Sequence, residues 1–212
     1  IVIGSINSLM IPDLSETLSR GDIYKDIKRI KKVIKLAFLL GLATLVICNL
    51  IPNDLGYMFY GRTDLGSYIK LISISAPIFF TAQTMFGFLN GLGKQGIILR
   101  NSLIISSIEL ICIFIFVANS KLNILGYGLS IIITSSLSLF INLREVKKHI
   151  DLEFSLTNIF IFLLLSLFIF LVMRVLSNFL FPNYSILKNL FVMILTYLSF
   201  AGISFLGIEE DN

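Results

Sequence analysis

Histidine occurs once in this sequence, as His149; cysteine occurs twice, proline four times and tryptophan not at all. A single imidazole excludes a histidine-rich zinc site and any histidine-paired nucleophile built with a second one in reserve. Cys48 and Cys112 both lie inside apolar runs, where cysteine behaves as a small packing residue rather than as half of a disulfide or a metal pair. Charge is scarce as well: 14% of residues are Asp, Glu, Lys or Arg, against roughly a quarter in soluble domains. The motifs of common catalysts are missing. No GxxxxGK[ST], HExxH or GxSxG occurs, and Gly91-Leu-Gly93 with Gly96 is a turn before a helix that lacks the strand–helix unit of a dinucleotide fingerprint. These absences point away from an enzyme, from a bound metal and from any cofactor.

What is abundant is apolar. Hydrophobic residues make up 56% of the 212, and the mean hydropathy is +0.92. A soluble fold of this length has too little volume to hide that much apolar surface. The expected fold class is therefore all-α and integral to a membrane, a multi-span helical bundle. The net charge of +4 needs no nucleic-acid partner, because basic loops on one side of a membrane account for it.

The chain opens in an apolar stretch, Ile1-Val-Ile-Gly4, with neither the charged start nor the cleavage site of a signal peptide. It reads as the cut end of a helix, and the sequence as a fragment lacking an N-terminal part. Pro12 and Asp13 mark a bend. Seven basic residues follow: Arg20, Lys25, Lys28, Arg29, Lys31, Lys32 and Lys35. Ile23, Ile27, Ile30 and Ile34 are spaced as one helical stripe among them, which suits an amphipathic helix at the membrane surface or the flank of the next span.

Apolar runs then predict six full spans, at about residues 33–51, 68–89, 97–118, 122–143, 156–179 and 186–206. A loop is expected over residues 53–67, with Tyr57 and Tyr60 suited to the interface. Pro77 should kink the second span, because it has no N–H for the Ser73 carbonyl, and it is the candidate hinge. Four regions follow: 1–22, the truncated span and a cytoplasmic turn; 23–151, a basic stretch with four spans; 152–206, two accessory spans; and 207–212, an acidic cytoplasmic tail.

Alternation of the spans places the seven basic residues above on one face with Lys94, Arg100, Arg144, Lys147 and Lys148, which makes twelve. The other face holds five: Arg62, Lys70, Lys121, Arg174 and Lys188. This bias marks the first face, called the basic face below, as cytoplasmic, and the C-terminus with it.

Glu109 is the sharpest candidate functional residue. It is the one acidic residue deep within a predicted span, and a carboxylate there requires a partner, a proton or water. Ser102 and Ser106 fall on its side of the helix. Gln83 and Asn90 lie on a polar stripe of the second span, and Ser130, Thr134 and Ser138 on the fourth. Three polar-striped spans suggest a shared polar interior for an ion, a proton or a polar head group; close helix packing by small residues is the plainer reading of any one of them. The last two spans are rich in Phe and Leu, nearly free of polar residues at depth, and read as lipid-facing.

Met10-Ile-Pro-Asp-Leu-Ser-Glu-Thr-Leu-Ser-Arg-Gly-Asp22 with its basic continuation, Ala76-Pro77 followed by Phe86-Gly-Phe-Leu-Asn-Gly-Leu-Gly-Lys94, and Asn123-Ile-Leu-Gly-Tyr-Gly-Leu-Ser130 occur in that order. Together they resemble the polysaccharide-export branch of the multidrug/oligosaccharidyl-lipid/polysaccharide exporter superfamily, including its sporulation, lipid II and O-antigen flippases. The resemblance covers most of the chain, best from Leu9 to about Leu143; the last two spans match in hydropathy alone. It implies a two-lobed transporter of the bacterial cell membrane, of which this sequence is the C-terminal part. It also implies alternating access, a polyprenyl-linked sugar or peptidoglycan precursor as substrate, and a missing N-terminal lobe as partner, besides the membrane lipids. Two other classes share the sequence features: an ion-coupled multidrug antiporter, for which Glu109 would be a proton or cation site, and a membrane assembly protein that transports nothing.

Overall fold

The computed structural model describes residues 23–119, 122, 124–149, 156–180 and 186–209. The described residues form helices and turns, with no strand among them. The helices are α1 (Ile23–Leu50), α2 (Pro52–Tyr60), α3 (Gly66–Ser73), α4 (Ala76–Gly91), α5 (Gln95–Val117), α6 (Ile124–Val146), α7 (Leu156–Leu180) and α8 (Ile186–Glu209). Five are long and apolar enough to cross a bilayer: Ile30–Leu50 of α1, then α5, α6, most of α7, and Leu187–Ser204 of α8. Counted as one bent span, α3 and α4 would make a sixth. The chain is thus a multi-span helical membrane protein, as expected. The apolar start and residues 1–22, with Arg20, lie outside the described residues, as does the tail at 210–212.

The described residues fall into two units. One draws on Ile1–Phe38 and Ile78–Glu153, the other on Leu39–Pro77 and Phe154–Asn212. In the first, Ile30 and Ile34 of α1 are buried with Met85, Phe88 and Leu89 of α4, Ile98 of α5 and Val146 of α6. Ile30 and Ile34 of the stripe therefore pack into a core, on one continuous 28-residue helix, while Lys31 and Lys32 stay exposed. In the second unit, Ile47 and Ile51 pack with Leu55 and Val192.

Outside these cores the helices turn large apolar side chains outward: Phe114 is 78% exposed and Phe179 84%. Hydrocarbon, not water, is the solvent that accepts such a surface.

The residues between the first two spans are not a plain loop. Pro52 opens α2 at a position where its missing N–H has no helical partner to lose, and Asp54 stands in the first turn. Phe59 and Tyr60 at the end of α2 are exposed, as interfacial aromatics are. The tight turn expected at 90–94 is a Schellman cap. Gly93 N–H bonds the Asn90 carbonyl at 2.9 Å and Lys94 N–H the Leu89 carbonyl at 3.1 Å, with Gly93 at φ +68°.

The kink expected at Pro77 is a full break. Helix α3 ends at Ser73, α4 starts at Ala76, and their axes differ by 47°. Ile74 and Ser75 N–H groups bond three residues back, to Leu71 and Ile72, so the ladder tightens before it stops. The Ser73 and Ser75 hydroxyls donate to the Lys70 and Ile72 carbonyls, each at 2.7 Å. Asn49 Nδ2 of α1 donates to Ser73 Oγ at 3.2 Å. Gly41 of α1 touches this break: a Cβ there would collide with the backbone of Pro77 and lie 2.9 Å from the Ala76 carbonyl oxygen.

Gly41→Ala should therefore destabilise the protein by about 1–3 kcal/mol through overpacking against backbone, read as a lower unfolding midpoint in detergent; an unchanged midpoint would mean that the break moves freely. The crossing of α3–α4 is open to a labelling test with single cysteines at Thr63, Gly96 and His149, all exposed, in a background with Cys48 and Cys112 replaced. An impermeant thiol reagent should reach Thr63 from one side of the membrane and the other two from the opposite side. Labelling of all three from one side would make α3–α4 a re-entrant hairpin.

Candidate functional site

The side chains singled out in the sequence are spread along the bundle. Glu109 is half-buried on α5, Ser102 is half-buried and Ser106 is exposed. Among the described residues, none of the three has a hydrogen-bond or ion-pair partner. Gln83 is half-buried on α4 beside buried Thr81, Ala82 and Thr84. Asn90 lies at the helix end, where its Oδ1 accepts a 2.6 Å bond from Gln95 Nε2. On α6, Ser130 and Thr134 are buried and donate to carbonyls one turn back, Gly126 and Ser130, each at 2.9 Å. Such back-bonding satisfies a hydroxyl inside its own helix and makes it small enough for close packing.

What the structure does assemble lies at the other end of the α5–α6 hairpin. The two helices run antiparallel, and their contact is the most extensive between described helices. Near the turn, Gly126 lies against the Phe116 carbonyl. At the open end the same register brings residues 100 and 101 opposite 142 and 145. Asn101 Nδ2 donates to Asn142 Oδ1 at 3.2 Å, with both residues buried. Asn142 Nδ2 reaches Ser138 Oγ at 3.4 Å. Arg100 Nη2 donates to Asn101 Oδ1 at 3.2 Å and to Glu145 Oε1 at 2.8 Å, and Lys148 Nζ to Glu145 Oε2 at 2.9 Å.

Glu145 is thus a buried carboxylate with a cation on each oxygen. The cations themselves are more than half exposed, so desolvation falls on one charge rather than three. Arg144 stands beside the group, exposed and without a partner among the described residues. Charge counting along the sequence placed these basic residues on one face but missed Glu145 as their hub. The signal was there: an acidic residue three before Lys148, opposite Arg100 across a hairpin with a short turn.

A second polar group belongs to the other unit. Asp54 of α2 lies near Lys188 and accepts a hydrogen bond from Asn189 of α8. Partial burial pushes its carboxyl above the usual range, against the pull of Lys188 and that bond. Asn189 and Thr196 are wholly buried, and among the described residues Asn189 Oδ1 and Thr196 Oγ1 have no hydrogen-bond partner. The last two spans therefore carry more polar residues at depth than expected. Ser166 and Ser177 on α7 are buried too, donating to the Leu163 and Arg174 carbonyls at 2.8 and 3.2 Å. Back-bonding hides these hydroxyls from a hydropathy reading.

The described residues hold no group of three His, Cys, Asp or Glu side chains arranged for a metal.

No protein-family profile and no solved structure matches the chain. It is similar to stage V sporulation protein B of Bacillus subtilis (strain 168), with 22% identity over 149 residues. That stretch is 70% of this chain and 29% of the relative, so the chain spans under a third of the length of the protein it matches.

Asn101 and Asn142 should behave as one buried unit. Either alanine substitution strands the other amide and should cost about 1–3 kcal/mol. The double-mutant cycle should show a coupling of about 0.6–1.7 kcal/mol, the range for side-chain bonds between membrane helices. Additive losses in the unfolding midpoints would mean that the two amides do not bond each other.

Proposed function

We propose that this chain contributes helices to a flippase of the bacterial cell membrane. Its substrate is a polyprenyl-linked sugar or peptidoglycan precursor, carried by alternating access for spore-cortex or cell-envelope synthesis. The observation that carries this reading is the similarity to stage V sporulation protein B over 149 residues, in a chain with up to six spans and the motif order of polysaccharide exporters. The broken α3–α4 span adds support, because transporters place interrupted helices where the bundle must flex. On this reading Pro77 is the hinge and the basic face is cytoplasmic, as is the C-terminus. Residues 23–151 contribute to one lobe of a two-lobed transporter, and α7 and α8 are its accessory spans. The protein is a transporter and not an enzyme.

Glu109 favours a second reading, an ion-coupled antiporter, since a half-buried carboxylate at mid-span without a partner among the described residues suits a proton or a cation. The protein reconstituted in proteoliposomes distinguishes the two. A flippase moves a fluorescent polyprenyl-linked sugar between leaflets; an antiporter exports a hydrophobic cation only under an ion gradient. Glu109→Gln keeps the size of the side chain and removes its ionisable proton. It should lower transport at least about tenfold, the mark of one lost general proton or cation site, with insertion and unfolding midpoint unchanged. Normal transport by this variant would leave Glu109 as a packing residue. No movement of either substrate by the wild type would favour an assembly protein.

A further inference from the structure

The open end of the α5–α6 hairpin encloses a cavity of about 320 Å³. Its two walls differ in kind. Arg100, Arg144 and Lys148 line one part around Glu145, and Ile104 and Phe140 line the other. The polar part holds three cations and one carboxylate. Glu145 engages Arg100 and Lys148 at 2.8 and 2.9 Å, which leaves Arg144 and the exposed faces of the other two with an excess of positive charge. The apolar part is unusually open, with Phe140 65% exposed and Ile104 43%. Both residues belong to spanning helices, so their exposed faces meet hydrocarbon, while the cations sit at the helix ends where the bilayer becomes polar.

We propose that this cavity binds the headgroup of an anionic phospholipid from the surrounding bilayer. The phosphodiester sits against Arg100, Arg144 and Lys148, and an acyl chain runs along Ile104 and Phe140. A soluble anion would use the cations and leave the apolar wall unoccupied. A neutral lipid would use the wall and leave the charge unmatched. An amphiphile with a negative head satisfies both, with charge-assisted bonds from guanidinium and ammonium groups at the leaflet surface. Glu145 sets the affinity in this arrangement: its carboxylate competes with the lipid phosphate for Arg100 and Lys148 and offsets part of their charge. The site does not depend on what the protein transports.

The test is native mass spectrometry of the detergent-solubilised protein with phosphatidylglycerol, phosphatidylcholine or a polyprenyl phosphate, with and without millimolar inorganic phosphate. Phosphatidylglycerol should be retained in preference to phosphatidylcholine. Arg144→Gln should weaken its binding about fivefold, the share of one basic residue at an anionic surface. Glu145→Gln should tighten it, a gain that loss of folding does not produce. Equal retention of the two phospholipids, or a preference that both substitutions leave unchanged, would overturn the proposal. So would displacement of the lipid by inorganic phosphate, which would make this a free-anion site. Tighter capture of polyprenyl phosphate than of phosphatidylglycerol would assign the site to the transported lipid and overturn it as well.

Discussion

A bilayer interior supplies no water to a backbone N–H or C=O, so every such group must find its partner within the protein. The rest of the architecture depends on this constraint. It makes each crossing a helix and turns each interruption into a local bonding problem. At Pro77, which has no N–H, the chain answers with i−3 bonds, two serine hydroxyls that donate back to carbonyls, and an amide from α1 beside Ser73. At Asn90–Lys94 it answers with a Schellman cap around Gly93. Both interruptions are bonded turns, which is why a span can break at depth without leaving its polar groups exposed to lipid.

The same solvent sorts the charges. Most lie at helix ends or in connections, and Glu145, which is buried, is compensated. Glu145 is buried because two cations close on its two oxygens, and because the hydrophilic heads of those cations remain in contact with the membrane surface. The Asn101–Asn142 pair below it continues the polar column one step into the bundle before it closes on Ser138. Glu109 has no comparable arrangement among the described residues. That contrast separates the two carboxylates: one is held by its own hairpin, and the other has no partner among the described residues.

On the proposed reading, a sporulation-protein relative, a span broken at a proline and a mid-span carboxylate agree with a membrane transporter. The proposed lipid site between α5 and α6 would add a place where the bilayer itself engages the protein. An anionic lipid seated there would bridge the ends of the two helices at the polar surface. Regulation by membrane composition would then act on the hairpin and not on the translocation route.

That the chain is a multi-span helical protein, and roughly where its long apolar helices fall, was legible in the sequence, because bilayer thickness acts on segments of about 20 residues. The break near Pro77 and the turn at Gly93 were legible for a local reason: the missing N–H of one and the positive φ of the other are properties of single residues. Tertiary structure decided the rest. Only packing buried Ile30 and Ile34 against α4 and made the basic stretch the flank of one long helix. Only the hairpin register brought Arg100 to Glu145, 45 positions away. Only the close approach of α1 to the break gave Gly41 its importance. Hydropathy sums over a segment and so records depth, but which side chain meets which is set by helix rotation and register, and those depend on partners far away in the chain.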